Sequence, residues 1–311
     1  MKAAAFDYTA PRTVPEALDA LGDTRRTAQV LAGGQSLILE MHLRRGGPDL
    51  VVDINRVAEL DHMRVNGGAL QVGALVRHRV FESPQAVPGA LGRLLSLAVV
   101  NIAHPPIRAR GTMVGSLAWA HPASEWCAVA VALDADIVLQ ASGGTRVVAA
   151  RDFFHGPHLT ARHPRELITS VRFPLLGDDT GVGFVEHRRT HFSFAQVAVA
   201  ATLTVRDGVI GDARIGLANC AGSPLRARAA EEALIGAEAG PFTAGCRLPG
   251  DHPFTRAGRI AAERDAAPLA EPYADVEYRR QAIAVVVRRT LCQAADGWSP
   301  GGPGGPQGDH R

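Results

Sequence analysis

The chain has 311 residues, 46% of them hydrophobic and 21% charged, enough to bury a large core and to divide into two or three domains. Lys and Arg number 33 against 31 Asp and Glu, and a formal charge of +2 gives no electrostatic footprint for a nucleic-acid partner. Cys127, Cys220, Cys246 and Cys292 include no CxxC pair, so they describe neither a structural zinc site nor a four-cysteine iron–sulfur cluster.

The opening MKAAAFDYTAPRT lacks the apolar core of a secretory signal, and no uninterrupted apolar segment approaches a membrane span, so a cytoplasmic location is expected. Thr13 and Glu16 have capping-box spacing ahead of a helix leading to Leu21, with Pro15 in its first turn. A strand is expected over Gln29 to Leu31, a short helix over Ser36 to Leu43 and an apolar strand over Leu50 to Ile54. Asn66-Gly67-Gly68 turns the chain into a strand over Ala69 to Val72. Pro88 to Val100 is apolar and helical, and His104-Pro105-Pro106 breaks it off.

Trp126 to Leu133 has the composition of a buried helix, and Ile137 to Gln140 and Arg146 to Val148 flank a Ser142-Gly143-Gly144 turn. Another strand is expected over Glu166 to Phe173. Pro174 to Gly181 interrupts the apolar rhythm and marks a domain boundary. Phe194 to Val205 fits a strand or a buried helix, and Asp207-Gly208 favours a strand hairpin. Helices are expected over Leu225 to Leu234 and Val276 to Ala294. From Gly297 the density of glycine and proline predicts a loose tail.

Two glycine-bearing segments carry the chemistry. In AGGQS, Ala32 to Ser36, glycines permit close approach to the main chain, and N–H groups at a helix start favour an anion. An ordinary strand-to-helix turn capped by Ser36 accounts for the same residues. RGTMVGSLAWAHPASE, Arg110 to Glu125, repeats the chemistry with Gly111, Thr112, Gly115 and Ser116. Glu125 suits ribose hydroxyls or a ring N–H better than phosphate, and it equally suits a first-turn acid at a helix dipole. Arg77 and His78 follow Gly73-Ala74-Leu75 and stand either near a cofactor or at a plain strand end. No GxxxxGK or GxGxxG motif follows a predicted strand, and no Ser-His-Asp pattern stands out. His121 and Glu125 have i,i+4 spacing, but Pro122 argues against a helical metal pair.

The two segments resemble the signatures of the FAD-binding medium subunit of the molybdenum hydroxylases, the group of carbon monoxide dehydrogenase and xanthine dehydrogenase. The family's AGGxS is met by Ala32, Gly33, Gly34 and Ser36. Its IRxRGTxGGxLAxADPAxE is met by Ile107, Arg108, Arg110, Gly111, Thr112, Gly115, Leu117, Ala118, Ala120, Pro122, Ala123 and Glu125. The likeness continues through Gly73 to Val76 and Gly216 to Leu234, and so covers nearly the whole chain before the tail. Val114 departs from the paired glycines, His121 from a common aspartate and Ser193 from another.

The resemblance implies an α+β protein. A two-subdomain FAD-binding domain of the PCMH type would occupy 1–176, with subdomains 1–56 and 57–176. A smaller α/β C-terminal domain of the molybdenum hydroxylase flavoprotein type would follow at 177–295, and a disordered tail at 296–311. It implies FAD in this chain, bound by Ala32, Gly33, Gly34, Gln35, Ser36, Leu37, Ala74, Leu75, Thr112, Gly115, Ser116, Ser124 and Glu125. Phe184 to Arg189 and Phe194 to Val197 would be ring-side or subunit-facing elements. The [2Fe-2S] clusters would belong to a small partner subunit, and the molybdenum cofactor to a large one. A dimer of three-subunit units is expected, with no catalytic residue, no metal and no membrane span in this chain. The alternatives are a free-standing FAD-dependent oxidase and a structural subunit that has lost its flavin.

Overall fold

The computed structural model describes residues 2–190, 192–239 and 248–296; Cys246 and the expected tail from Gly297 lie outside them. The described residues form two compact units. The first takes residues up to Val80 together with His104–Ala120 and Ala135–Pro174; the second takes Phe81–Ala103, His121–Asp134 and the described residues from Leu175 onward.

In the first unit a parallel three-stranded sheet places Leu50–Asp53 between Asp7–Thr9 and Ala28–Leu31. Parallel neighbours need crossovers, and the helices Val14–Gly22 and Leu37–Leu43 lie on the intervening stretches. The central position explains the unbroken apolar run: Leu50, Val51 and Val52 are all buried. Thr13 caps the first helix by accepting from Glu16 N at 3.3 Å, while Glu16 Oε2 accepts from Arg12 N, one residue before the position a strict capping box would use.

The same unit holds an antiparallel five-stranded sheet in the order Met63–Asn66, Ala69–Gly73, Leu167–Pro174, Asp136–Ala141, Gly144–Ala149. The two outer pairs are hairpins, turning at Gly67-Gly68 and Ser142-Gly143, as the sequence indicates.

The second unit is an antiparallel sheet in the order Thr180–His187, Val197–Arg206, Val209–Ala218, Leu225–Arg226. Helices Gly89–Val99, Glu125–Ala132 and Val276–Asp296 pack against it. A Cβ on Gly216 would overlap the carbonyl oxygen of Ala128, and one on Gly183 that of Thr290, so both glycines let helix backbone lie directly on a strand. Helix Glu125–Ala132 is buried from Trp126 through Ala132, with the Trp126 ring edge-on to Phe81 at 5.4 Å.

One element differs from the sequence expectation and two others are sharpened by the structure. Leu225 and Arg226 are paired with Leu217 and Gly216, so the expected helix begins only at Arg228. Sheet pairing there outweighs helix propensity. The open choice for Phe194 to Val205 resolves as strand from Val197, paired on both sides. The His104-Pro105-Pro106 break is itself a helix start, Pro105–Arg110, because proline is tolerated in a first turn where N–H groups have no intrahelical acceptor.

Candidate cofactor site

In the first unit the two glycine segments meet backbone to backbone. Ala32 to Ser36 follows the edge strand Ala28–Leu31, and a Cβ on Gly33 would overlap the carbonyl oxygen of Arg110 and stand 2.7 Å from Gly111 Cα. Gly34 has φ +73°, a left-handed conformation that favours glycine. Ser36 occupies the N-cap of Leu37–Leu43 but makes no side-chain capping bond, so it leaves the first-turn N–H groups to other acceptors.

The second segment is held along Val76 to His78. His78 N donates to Gly111 O at 3.0 Å, Met113 N to Val76 O at 3.3 Å, and Arg77 bridges Thr112. Beyond Thr112 the chain is helical from Met113 to Trp119, and Thr112 Oγ1 caps it by accepting from Gly115 N at 3.0 Å. Val114 lies in this helix with a negative φ, so its departure from the paired-glycine pattern introduces no left-handed strain.

Two residues outside the glycine segments tie them together. Arg77 donates to Arg110 O and to Asn55 Oδ1, while Asn55 Nδ2 donates to Ala32 O at 2.8 Å. The Arg77–Asn55 pair therefore links both segments. Arg77 stood out in the sequence by its position after Gly73-Ala74-Leu75; Asn55 carried no signal, since its partner is over twenty residues away.

Around this junction is a cavity of about 270 Å³. Ala32, Gly33, Gly34, Gln35, Ser36, Leu37, Ala74, Thr112, Gly115 and Ser116 all line it. Leu75 is buried, with its N–H on Leu60 O at 3.0 Å, and does not line it. Trp119 and His158, 4.6 Å apart between ring centroids, Arg162 and Ile168 form further wall.

Glu166 is the one carboxylate among the described lining residues, and Arg146 takes both its oxygens at 2.6 and 2.7 Å. Burial pushes that carboxyl up, but the Arg146 bonds and the His163 N–H hold it below the ordinary range. His78 is buried and kept neutral, its pKa pushed down to about 3 by burial, with Arg108 and Arg77 adding to the effect. The wall thus offers backbone donors, hydroxyls and apolar surface, and its one acid is neutralised by an arginine. That combination fits a pyrophosphate with planar rings attached.

Residues 4–176 match the family model described as the FAD binding domain in molybdopterin dehydrogenase, and residues 183–294 match the CO dehydrogenase flavoprotein C-terminal domain. The chain belongs to the FAD-binding medium subunits of the molybdenum hydroxylases. It is 38% identical over 241 residues to the caffeine dehydrogenase subunit beta of Pseudomonas sp. (strain CBB1), covering 77% of this chain and 81% of that one. It is 32% identical over 294 residues to the nicotine 6-hydroxylase medium subunit of Paenarthrobacter nicotinovorans, covering 94% and 99%. Among solved structures it is similar to the carbon monoxide dehydrogenase of Hydrogenophaga pseudoflava lacking the Mo-pyranopterin moiety, with TM-score 0.84 and 32% identity over 94% of this chain and 98% of that chain.

In this medium subunit, Ser124 and Glu125 belong to the second unit. Ser124 is the buried N-cap of Glu125–Ala132, with its N–H on His121 O at 2.9 Å. Burial raises the Glu125 carboxyl, and its own N–H and Arg188 only partly offset that. The fused signature in the sequence therefore supplies residues to both units. His121 stacks on Phe194 at 4.1 Å, and Ser193 closes its own turn by donating to Thr190 O at 2.8 Å. No helix among the described residues is long and apolar enough to cross a membrane.

Proposed function

We propose that this chain is the FAD-binding electron-transfer subunit of a molybdenum-containing hydroxylase or dehydrogenase. The observation that carries the reading is the convergence of both glycine segments on one cavity, with Gly33 packed against the Arg110 carbonyl. Bound FAD would supply redox chemistry between the partner's [2Fe-2S] clusters and an external acceptor.

The chain's own residues hold and orient. Gly33, Gly34, Gln35, Ser36, Thr112, Gly115 and Ser116 form the pyrophosphate neighbourhood. Leu37 and Ala74 supply apolar wall, and Leu75 packs behind it. No side chain here carries out hydroxylation. Domains are assigned at 1–176, with subdomains 1–56 and 57–176, and at 177–295. The relatives are named as subunits, which supports a multi-subunit assembly; in this reading its other members are an iron–sulfur small subunit and a molybdenum cofactor large subunit, in a cytoplasmic dimer of heterotrimers.

The test is an absorption spectrum with identification of released cofactor, first on the natively copurified assembly and then on the isolated chain. FAD in this chain, with iron–sulfur and molybdenum signals in the assembly alone, is the expected outcome. An intact assembly without FAD would reject the reading.

A further inference from the structure

A guanidinium in the cavity wall of the first unit has an open edge. Arg162 lines the cavity, and its Nη1 donates to three carbonyls of its own loop, His163 O at 3.2 Å, Pro164 O at 3.4 Å and Glu166 O at 3.0 Å. Nε and Nη2 have no hydrogen-bond partner among the described residues. The carboxylate in the same wall is already taken: Glu166 gives both oxygens to Arg146, and its Oε2 also accepts from His163 N at 2.7 Å. Burial lowers the Arg162 pKa, and Glu166 offsets only part of this. A half-buried guanidinium held from one side by carbonyls is costly without a further acceptor, and is already oriented for one.

The surface beside it is aromatic and aliphatic. His158, with φ 59°, is tied to the end of helix Met113–Trp119: its N–H donates to Ala120 O at 3.0 Å, its Nδ1 lies 3.0 Å from Trp119 O, and the two rings stand 4.6 Å apart. Trp119, His158 and Ile168 line the cavity with Arg162, and all four belong to the first unit. Ser116 and Trp119 are three residues apart on their helix, so they are neighbours on one face, about 5–6 Å between Cβ atoms. Aromatic surface therefore begins about one helical turn from the segment assigned to the pyrophosphate. In FAD a single ribose separates the pyrophosphate from adenine, while the flavin ring stands behind the longer ribityl chain. The shorter arm matches this spacing. Adenine offers ring nitrogens that accept hydrogen bonds and faces that stack on guanidinium and aromatic groups.

We propose that Arg162 is a specificity-determining residue that recognises the adenine base of FAD, beside Trp119, His158 and Ile168. This rests on the reading that the cavity takes FAD through its glycine segments.

The experiment removes flavin from the copurified assembly and compares wild type, Arg162→Leu and Arg162→Lys. It follows FAD rebinding, competition by ADP and by CDP, the visible spectrum of the rebound flavin and the melting temperature of the flavin-free protein. The two diphosphates share ribose and pyrophosphate and differ in the base. A lysine ammonium can still donate to the loop carbonyls but lacks the planar fork, so Arg162→Lys removes the open edge and keeps the loop. Wild type is expected to prefer ADP to CDP by about tenfold, the scale of one or two polar contacts, and both variants to bring the competitors level. FAD binding is expected to weaken by about the same factor in both, with the flavin band unmoved and the Arg162→Lys melting temperature close to wild type. Wild-type FAD binding and base preference in the variants overturn the proposal, as does a wild type that binds FAD but does not tell ADP from CDP. Equal losses of ADP and CDP would give Arg162 to the pyrophosphate, and a shifted flavin band would give it to the isoalloxazine ring; either overturns the adenine assignment. A loss confined to Arg162→Leu that follows its melting temperature overturns it too, leaving Arg162 a brace for the 162–166 loop. A wild type that takes up neither FAD nor ADP rejects the flavin reading, and the proposal with it.

Discussion

Gly33 lies so close to the main chain of Arg110 that a Cβ at residue 33 would overlap the Arg110 carbonyl oxygen and fall 2.7 Å from Gly111 Cα. Neither neighbour is a flexible side-chain end, so relief requires one glycine segment to move off the other. Gly33→Ala is expected to cost about 1–3 kcal/mol of stability, the usual scale of overpacking, and to lower the FAD content of the purified protein. Gly22, where a Cβ would meet nothing within 4 Å, supplies the control Gly22→Ala. Thermal melts and flavin-to-protein ratios decide it, and a Gly33→Ala protein matching the control in both would sink the packing argument.

Thr112 binds the second segment to the start of its helix, accepting from Gly115 N at 3.0 Å. Thr112→Ala is expected to cost about 0.5–2 kcal/mol, the range for losing an N-cap oxygen. Thr112→Ser should restore most of it, because the hydroxyl rather than the methyl makes the bond. Denaturant unfolding of the three proteins separates these cases; equal destabilisation by Ser and Ala would assign the effect to lost packing.

His78 links burial to acid sensitivity. Its folded pKa lies near 3 against an ordinary 6.5, with burial the largest cause. Between those values the unfolded chain binds more protons, so the contribution is fully present above the unfolded value and is lost as pH falls through the window. His78→Gln is expected to flatten the acid limb by up to about 1.4 kcal/mol per pH unit, one proton's worth. Stability measured by urea unfolding at several acid pH values checks this. An unchanged slope would mean that His78 takes up its proton without unfolding.

Much of this was legible in the sequence because the signals are local. Asn66-Gly67-Gly68 and Ser142-Gly143-Gly144 mark their hairpins directly, and the apolar run at Leu50 marks a strand flanked on both sides. AGGQS and the Arg110 to Glu125 segment carry the family signature within continuous stretches. The parts that escaped depend on residues remote in sequence. Asn55 reaches Ala32 and Arg77 across a fold that no local pattern describes. Leu225 and Arg226 have helical surroundings but gain paired backbone bonds against Leu217 and Gly216. The buried Arg279 resembles any surface arginine of an amphipathic helix until Glu271, Gln196 and Asn219 are brought around it.

The second unit should respond to pH in the opposite sense from His78. The Glu186 side chain is 2% exposed, and both its oxygens are without a hydrogen-bond partner among the described residues. Arg188 comes within 2.7 Å as an ion pair, but its hydrogen bonds go to Asn101. Burial raises the Glu186 carboxyl, nearby Glu125 raises it further, and Arg188 offsets only part of this. Glu125 is raised as well, again chiefly by burial. A carboxyl with a raised folded pKa binds more protons folded than unfolded, so stability falls as pH climbs from the ordinary 4.5 toward the raised value. Glu186→Gln keeps the shape, removes the titrating proton and leaves Arg188 beside Glu125. It is expected to flatten the decline by up to about 1.4 kcal/mol per pH unit and to stabilise the protein most at the alkaline end. Urea midpoints from acid to mildly alkaline pH, wild type against Glu186→Gln, test it. A variant whose stability falls with pH as steeply as wild type would show that the proton resides elsewhere.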